Sequence, residues 1–333
     1  MLSVKDFIYK ILFNTLNCGA SGLMIEVSGV CNAQCKYCCR ATGNHVSTVP
    51  YMPVEKFAAI LAHLRKIGML QRWKGTVAIW TWSEPTLHPE INKILGVLGN
   101  YRLRANISSN FIAPWAITPE NYKNISDVSF SLCSLKKDRY KKIYGADLAQ
   151  TLEHFKEFLE IRKTRNPRIR VHINWLQYKF TYDELESARA YFTTLVGQDV
   201  DFADDYYAMV KDLQACLSYC RSGGKDLEGY DLEEAKRDID FDVINRTLAK
   251  PFPHTTPSSC PFAYGTVVNE EGQLRMCCMM SSKNKEHSMG DILTLTKKEI
   301  MHRKQSGAIC RECLQYHIPS IFHSGSKDAL PEK

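Results

Sequence analysis

Residues 23–38 read Leu-Met-Ile-Glu-Val-Ser-Gly-Val-Cys-Asn-Ala-Gln-Cys-Lys-Tyr-Cys. The apolar, β-branched opening LMIEVS (23–28) predicts a strand. Cys31, Cys35 and Cys38 follow it with the spacing C-x3-C-x2-C, which puts three thiolates on one loop. A cubane [4Fe–4S] cluster has four irons, each wanting a terminal ligand. Three cysteines leave one iron open to a small molecule, as an open zinc position is open to water. The same spacing admits a zinc ion or buried thiols. Cys39 adjoins Cys38, so its side chain points elsewhere, and it is read as a neighbour.

Working outward, short apolar segments bounded by polar turns recur at GTVAIWTW (75–82), RLRANIS (102–108), DVSFSLC (127–133), RIRVHINWL (168–176) and QDVDFA (198–203). Helical patterns lie between them. Val54, Phe57, Ala58, Leu61 and Leu64 share one face, as do Leu148, Leu152, Phe155 and Leu159, and Leu185, Ala188, Phe192 and Leu195. Pro53 suits the first helical position. Six such units predict an α/β fold with a parallel sheet, either a partial (β/α)6 TIM-like barrel or an open doubly wound sheet, since a closed barrel needs two more. A loop at the C-terminal end of the first strand is where sites in such folds gather.

The chain has 333 residues, 44% of them apolar, enough for one large α/β domain and a smaller module. Its 43 basic and 36 acidic residues leave a net charge of +7 with no single-sign block. That surplus suits an anionic substrate or an acidic partner and does not by itself indicate nucleic acid. No stretch approaches the roughly 20 apolar residues of a membrane span. The opening residues 1–18 read as an amphipathic helix (Phe7, Ile8, Ile11, Leu12, Leu16) without a cleavage site, so the expected location is cytoplasmic. In a reducing compartment the 13 cysteines point to metal or chemistry and away from disulfides. Four fall in residues 31–39 and five in residues 260–313.

C-x3-C-x2-C with an aromatic residue, Tyr37, before the third cysteine and just after a first strand resembles the signature of the radical SAM superfamily. The resemblance implies that the open iron chelates the methionine amine and carboxylate of S-adenosylmethionine (AdoMet), and that electron transfer then gives a 5′-deoxyadenosyl radical. The second strand ends in Trp82-Ser83-Glu84-Pro85, where the family carries a Gly-Gly-Glu-Pro-like motif that holds the AdoMet ammonium. Glu84 and Pro85 match; Trp82 and Ser83 replace the glycines. Ser108-Ser109-Asn110 ends the third strand and resembles a Ser-Asn-Gly motif, with Phe111 in place of the glycine. Ser131 on the fourth strand matches a family serine near the AdoMet carboxylate or ribose. The implied AdoMet contacts are therefore Tyr37, Ser83, Glu84, Ser108, Asn110 and Ser131. Order and spacing extend the resemblance over about residues 20–200.

Cys260 is followed by eleven residues, Gly272, four residues and Cys277. The segment between reads as a β-hairpin turning at Asn269–Gly272. A helix near 295–305 and the pair Cys310-Arg-Glu-Cys313 on one tight turn follow. Four thiolates suit a zinc ribbon or a full cubane. After a radical SAM core the C-x11-G-x4-C element looks like the start of a SPASM domain, and its shortness like the twitch form. This implies an auxiliary [4Fe–4S] cluster on Cys260, Cys277, Cys310 and Cys313, with Cys278 as a substitute for Cys277. Cys216 and Cys220, at i and i+4, share a helical face as buried thiols, hydrogen-atom donors or ligands to another metal. Cys133 is a lesser donor candidate.

The expected division is a core over 1–205, a connecting or lid insertion over 206–258, an auxiliary-cluster domain over 259–320 and a tail over 321–333. The family resemblance implies an oxidoreductase served by a flavodoxin- or ferredoxin-type electron donor. Family members of this layout act on peptides, sulfatase precursors, sugars or cyclitols. The few residues before Cys31 favour a small polar metabolite over a peptide. Peptide maturation or epimerisation, and a non-catalytic zinc-binding interaction protein, are the alternatives.

Overall fold

The computed structural model describes residues 22–40, 43, 45, 47–70, 75–198, 200–205, 212–250, 260, 265–280 and 288–323. The amphipathic helix expected over residues 1–18 lies outside them.

Six strands form as the sequence pattern predicts: β1 (Leu23–Ile25), β2 (Thr76–Ala78), β3 (Arg104–Ser109), β4 (Ile125–Leu132), β5 (Arg170–Leu176) and β6 (Asp201–Asp205). All pair parallel in the order β6-β5-β4-β3-β2-β1. The order is linear, so the sheet stays open. Between strands run α1 (Val54–Lys66), α2 (Ile91–Asn100), α3 (Lys137–Tyr144), α4 (Leu148–Arg165) and α5 (Leu185–Val196). Pro53 sits one position before the expected one, at φ −56° and ψ 141°, as the extended residue preceding α1.

Alternation along β3–β5 separates two faces. Ile107, Val128, Phe130, Ile173 and Trp175 are fully buried and Val171 nearly so. They meet the helices, with the Phe130 ring 4.6 Å from Phe155 on α4 and 6.1 Å from Phe192 on α5. Burying rings of this size is worth about 2–3 kcal/mol each and holds the helical layer on the sheet. The opposite face carries Asn106, Ser108, Ser129, Ser131, His172 and Asn174, all half-buried. Register places Ser108 beside Ser129 and Ser129 beside His172, and Ser131 beside Asn174.

The C-terminal strands continue this sheet. β7 (Thr266–Val268) pairs parallel with β1, and β8 (Gln273–Arg275) and β9 (Ser288–Asp291) follow antiparallel. The boundary expected at 259 therefore corresponds to no break in the sheet. The hairpin turns as expected: Gly272 N–H donates to the Asn269 carbonyl at 2.8 Å, and Gly272 has a φ of 81° that favours glycine. The segment expected as an insertion holds three helices, α6 (Leu213–Arg221), α7 (Leu232–Asp238) and α8 (Phe241–Ala249). Their buried Leu217, Ala235, Phe241 and Ile244 belong to the common core. The chain then forms α9 (Lys297–Ser306), α10 (Ala308–Gln315) and α11 (Ser320–His323). Cys310 and Cys313 lie on α10, one helical turn apart, and not on a tight turn.

Candidate functional site

The first cysteine loop leaves the C-terminal end of β1 and is pinned from several sides. Gln34 N–H donates to the Tyr144 carbonyl and Lys36 N–H to the Ile143 carbonyl, both at 3.0 Å, so the loop rests on the end of α3. Gly145, at φ 68°, closes α3; a Cβ there would stand 3.0 Å from Gln34 Oε1. Cys38 N–H donates to the Cys35 carbonyl at 3.0 Å, turning the loop back on itself. On the other side, Asp238 at the end of α7 accepts from Tyr37 Oη at 2.7 Å, Lys36 Nζ at 2.9 Å and Lys142 Nζ at 2.6 Å. The hydroxyl of Tyr37 is thus committed to α7.

Cys31, Cys35 and Cys38 lie close enough to act on one another electrostatically. Burial pushes Cys31 up to about 11, with Glu84 and Cys38 adding to it. Burial and the two other thiols push Cys35 well above the ordinary range. A bond from Cys39 and the Arg40 charge lower Cys38 against its burial. A cation held by the three would relieve the penalty on their thiolates. Among the described residues, the one group of three or more potential ligand atoms within 4.8 Å of one another is Glu26, His45 and Glu270. Among the described residues, neither cysteine set brings three sulfurs within 4.8 Å of one another, whereas a tetrahedral zinc site would set them roughly 3.8 Å apart. A cubane, with its ligated irons at separate corners, accepts the wider spacing.

Glu84 and Asn110 are brought beside this loop. The Glu84 carboxylate, 2% exposed, accepts from Thr86 Oγ1 at 2.6 Å and from Asn110 N–H at 2.8 Å. Asn110 Nδ2 reaches Asn32 Oδ1 at 2.9 Å and Cys31 Sγ at 3.6 Å. Burial raises the Glu84 pKa while bonds from Thr86, Asn110 and Ser109 pull it back. Ser83 turns away from the loop: its hydroxyl donates to Glu26 Oε1 at 2.6 Å and to the Ser28 carbonyl. Ser108 and Ser131 lie on the polar face of the sheet, where Asn174 Nδ2 donates to Ser131 Oγ at 3.5 Å and Trp80 Nε1 donates to Asn106 Oδ1 at 2.7 Å. Cys133, fully buried at the end of β4, acts on Cys35.

The second cysteine set also converges. Cys260, Cys277, Cys310 and Cys313 line one apolar cavity with Met276, Met279 and Lys304. Burial pushes Cys310 up to about 12, with Cys277 and Cys260 adding to it. Lys304 is 1% exposed and donates to the Met276 carbonyl at 2.7 Å. Burial lowers it to about 8 although the surrounding cysteines favour its charge. The free thiols of Cys216 and Cys220 share a hydrogen bond on α6 and act on Cys313, beside this cavity. Asp212, which caps α6, acts on both Cys38 and Cys216, so it stands between the first cysteine loop and α6.

Sequence reading passed over Glu26 and Lys304. A carboxylate inside the apolar run LMIEVS was a visible signal; Lys304, one lysine in the polar helix KKEIMHRKQS, offered none.

No family model matches the sequence, and no curated protein does. Solved structures do. The fold is similar to that of native anSMEcpe with bound AdoMet, at 16% identity and a TM-score of 0.54 over 87% of this chain and 82% of that one. It is similar to Streptococcus suis SuiB bound to its precursor peptide SuiA, at 14% identity and a TM-score of 0.56 over 92% and 69%. SuiB bound to S-adenosylmethionine matches at 12% identity and a TM-score of 0.52 over 88% and 67%. The open, parallel α/β sheet with its C-terminal extension is thus a fold shared with AdoMet-binding proteins.

Proposed function

We propose that this chain is a radical SAM enzyme, an oxidoreductase in which Cys31, Cys35 and Cys38 hold the AdoMet-binding [4Fe–4S] cluster. The observation that carries the reading is the convergence of those three half-buried thiols at the C-terminal end of β1, close enough to act on one another and with Asn110 beside Cys31. Bound there, the cluster would supply the electron that cleaves AdoMet, and with it the power to remove a hydrogen atom from a substrate. Asn110 and Asn32 fix the Cys31 side of the loop. Glu84, Ser108, Asn110 and Ser131 are the side chains proposed to meet AdoMet. Tyr37 contributes through its backbone, its hydroxyl being held by Asp238. Ser83 acts by fastening the end of β2 to β1.

Cys260, Cys277, Cys310 and Cys313 are proposed to hold an auxiliary [4Fe–4S] cluster that accepts the second electron of an oxidation. Cys277 is preferred to Cys278 because it lines the cavity shared by the other three. Lys304 places a positive charge against that site, which favours its reduced form. A flavodoxin- or ferredoxin-type protein is the proposed electron donor.

The proposed substrate is a small polar molecule. Asn106, Ser108, Ser129, Ser131 and Asn174 offer hydroxyls and amides along the half-buried face, suited to a polyhydroxylated ligand such as a sugar or aminocyclitol. The second reading is a peptide, favoured by the likeness to SuiB bound to a precursor peptide. Anaerobic reconstitution followed by iron, sulfide and zinc analysis tests the cofactor reading. Iron and sulfide for two clusters are expected, while zinc without iron would end it. Cross-linked or co-purified peptide, with no turnover of sugars or cyclitols, would move the substrate to the second reading.

A further inference from the structure

We propose that Glu26, His45 and Glu270 form a binding site for one divalent first-row transition metal ion, separate from both cysteine sets. The three come from distant parts of the chain: the residue after β1, the loop beyond the first cysteine set, and the β7–β8 turn. Their ligand atoms all lie within 4.8 Å of one another, and their exposures are 1%, 5% and 1%.

The hydrogen bonding leaves this group unfinished. Neither ring nitrogen of His45 and neither carboxylate oxygen of Glu270 has a partner, although all four atoms are buried. A buried neutral imidazole ordinarily donates from one nitrogen and accepts at the other, and a carboxylate accepts at both oxygens. Ser47 comes close enough to lower the Glu270 pKa, but its hydroxyl donates to the Val49 carbonyl at 2.7 Å. Glu26 is held in place, its Oε1 accepting from Trp82 N–H at 2.7 Å and Ser83 Oγ at 2.6 Å.

Two carboxylates this close in a desolvated pocket repel unless a positive species lies between them. Arg275 lines the same cavity and acts electrostatically on Glu270 and Glu26, but burial lowers its pKa and it forms no ion pair with either carboxylate among the described residues. Burial lowers the His45 pKa to about 4, opposed in part by Glu270, which keeps the imidazole in the neutral form that ligates metals. A cavity of about 10 Å³ bordered by Glu26, His45, Trp82, Asn269, Cys277 and Cys278 leaves room for one further small ligand such as water. One imidazole with two carboxylates suits Mn²⁺, Fe²⁺ or Zn²⁺. Such an ion would clasp β1, the loop after the first cysteines and the C-terminal hairpin together. None of the three ligands is a cysteine, although Cys277 borders the cavity, so coupling to an imidazole nitrogen is what tells this site from the second cysteine set.

The full chain, purified anaerobically and freed of loose metal with a chelator, is titrated with Mn²⁺, for which thiolates compete poorly. Loss of the aqueous Mn²⁺ paramagnetic resonance signal counts the bound ions. One ion per chain is expected, weakened at least tenfold in His45→Gln and in Glu270→Gln. Absence of binding, or equal binding by folded variants, overturns the site. Pulsed resonance on the wild-type complex gives a readout needing no variant: coupling to a single imidazole nitrogen is expected, and its absence overturns the proposal.

Discussion

At the scale of single residues, the site rests on buried polar groups whose partners are specific. Glu84 accepts from Thr86 and from the Asn110 backbone, so it ties the ends of β2 and β3 together beside Cys31. Glu84→Gln sets an amide donor against one of those donors. We expect a stability loss of about 2–3 kcal/mol, read from the urea unfolding midpoint at unchanged m-value. Lys304 works through charge. With its ammonium buried among the second cysteine set, Lys304→Met makes an auxiliary cluster harder to reduce, visible as a lower midpoint in a redox titration followed by paramagnetic resonance. An unchanged midpoint would show that the lysine is only packed there. Both residues show where sequence reading stops. The Glu84-Pro85 pair was legible because it follows a strand at the expected place. Lys304 was not, because nothing local marks which lysine of a polar helix turns inward.

At the scale of elements, the central device is the clamp of α7 on the first cysteine loop. Asp238 takes the Tyr37 hydroxyl and the Lys36 and Lys142 ammonium groups at once, and all three keep its pKa low against burial. Asp238→Ala leaves Tyr37 and Lys142 without this acceptor, while Lys36 keeps Glu234 at 2.7 Å. It should cost about 2–4 kcal/mol and speed amide hydrogen exchange across residues 31–38, while Phe130 and its neighbours exchange as before. Exchange unchanged in the loop would mean that α3 alone holds it. The six strands were readable because apolar and polar residues alternate between clear turns. Helix α6 was readable from Cys216 and Cys220 on one helical face, but the helices of 232–249 were not, because their polar, glycine-punctuated sequence hides short helices fixed by long-range contacts such as Asp238 with Tyr37. The continuation of the sheet from β1 into β7 is likewise a pairing across more than 240 residues, which no local pattern encodes.

At the scale of the whole molecule, pH sensitivity and chemistry both follow from how the sheet is assembled. His172 on β5 bridges Asp201 on β6 at 2.8 Å and Asp127 on β4 at 3.2 Å. The Asp127 bond raises the His172 pKa against burial, with Asp201 adding to it. Against its own burial, Asp127 is held down at about 2 by His172, Ser126 and Arg170. The His172 contribution is complete below 6.5 and is lost as pH rises through its raised folded value. The Asp127 contribution is complete above 3.8 and is lost as pH falls towards about 2. Stability therefore peaks between those limits, and His172→Gln should abolish the decline on the alkaline side in urea melts. The charge network occupies the N-terminal parts of β4, β5 and β6, with His172 beside Ser129 on the polar face. The chemistry proposed for the cysteine loops is tested most directly by incubating reconstituted protein anaerobically with dithionite and AdoMet and quantifying 5′-deoxyadenosine. The wild type should form it, Cys35→Ala should form none, and Cys310→Ala should retain part of it. A wild-type chain loaded with iron and sulfide that forms none, even with candidate substrates present, would contradict the account.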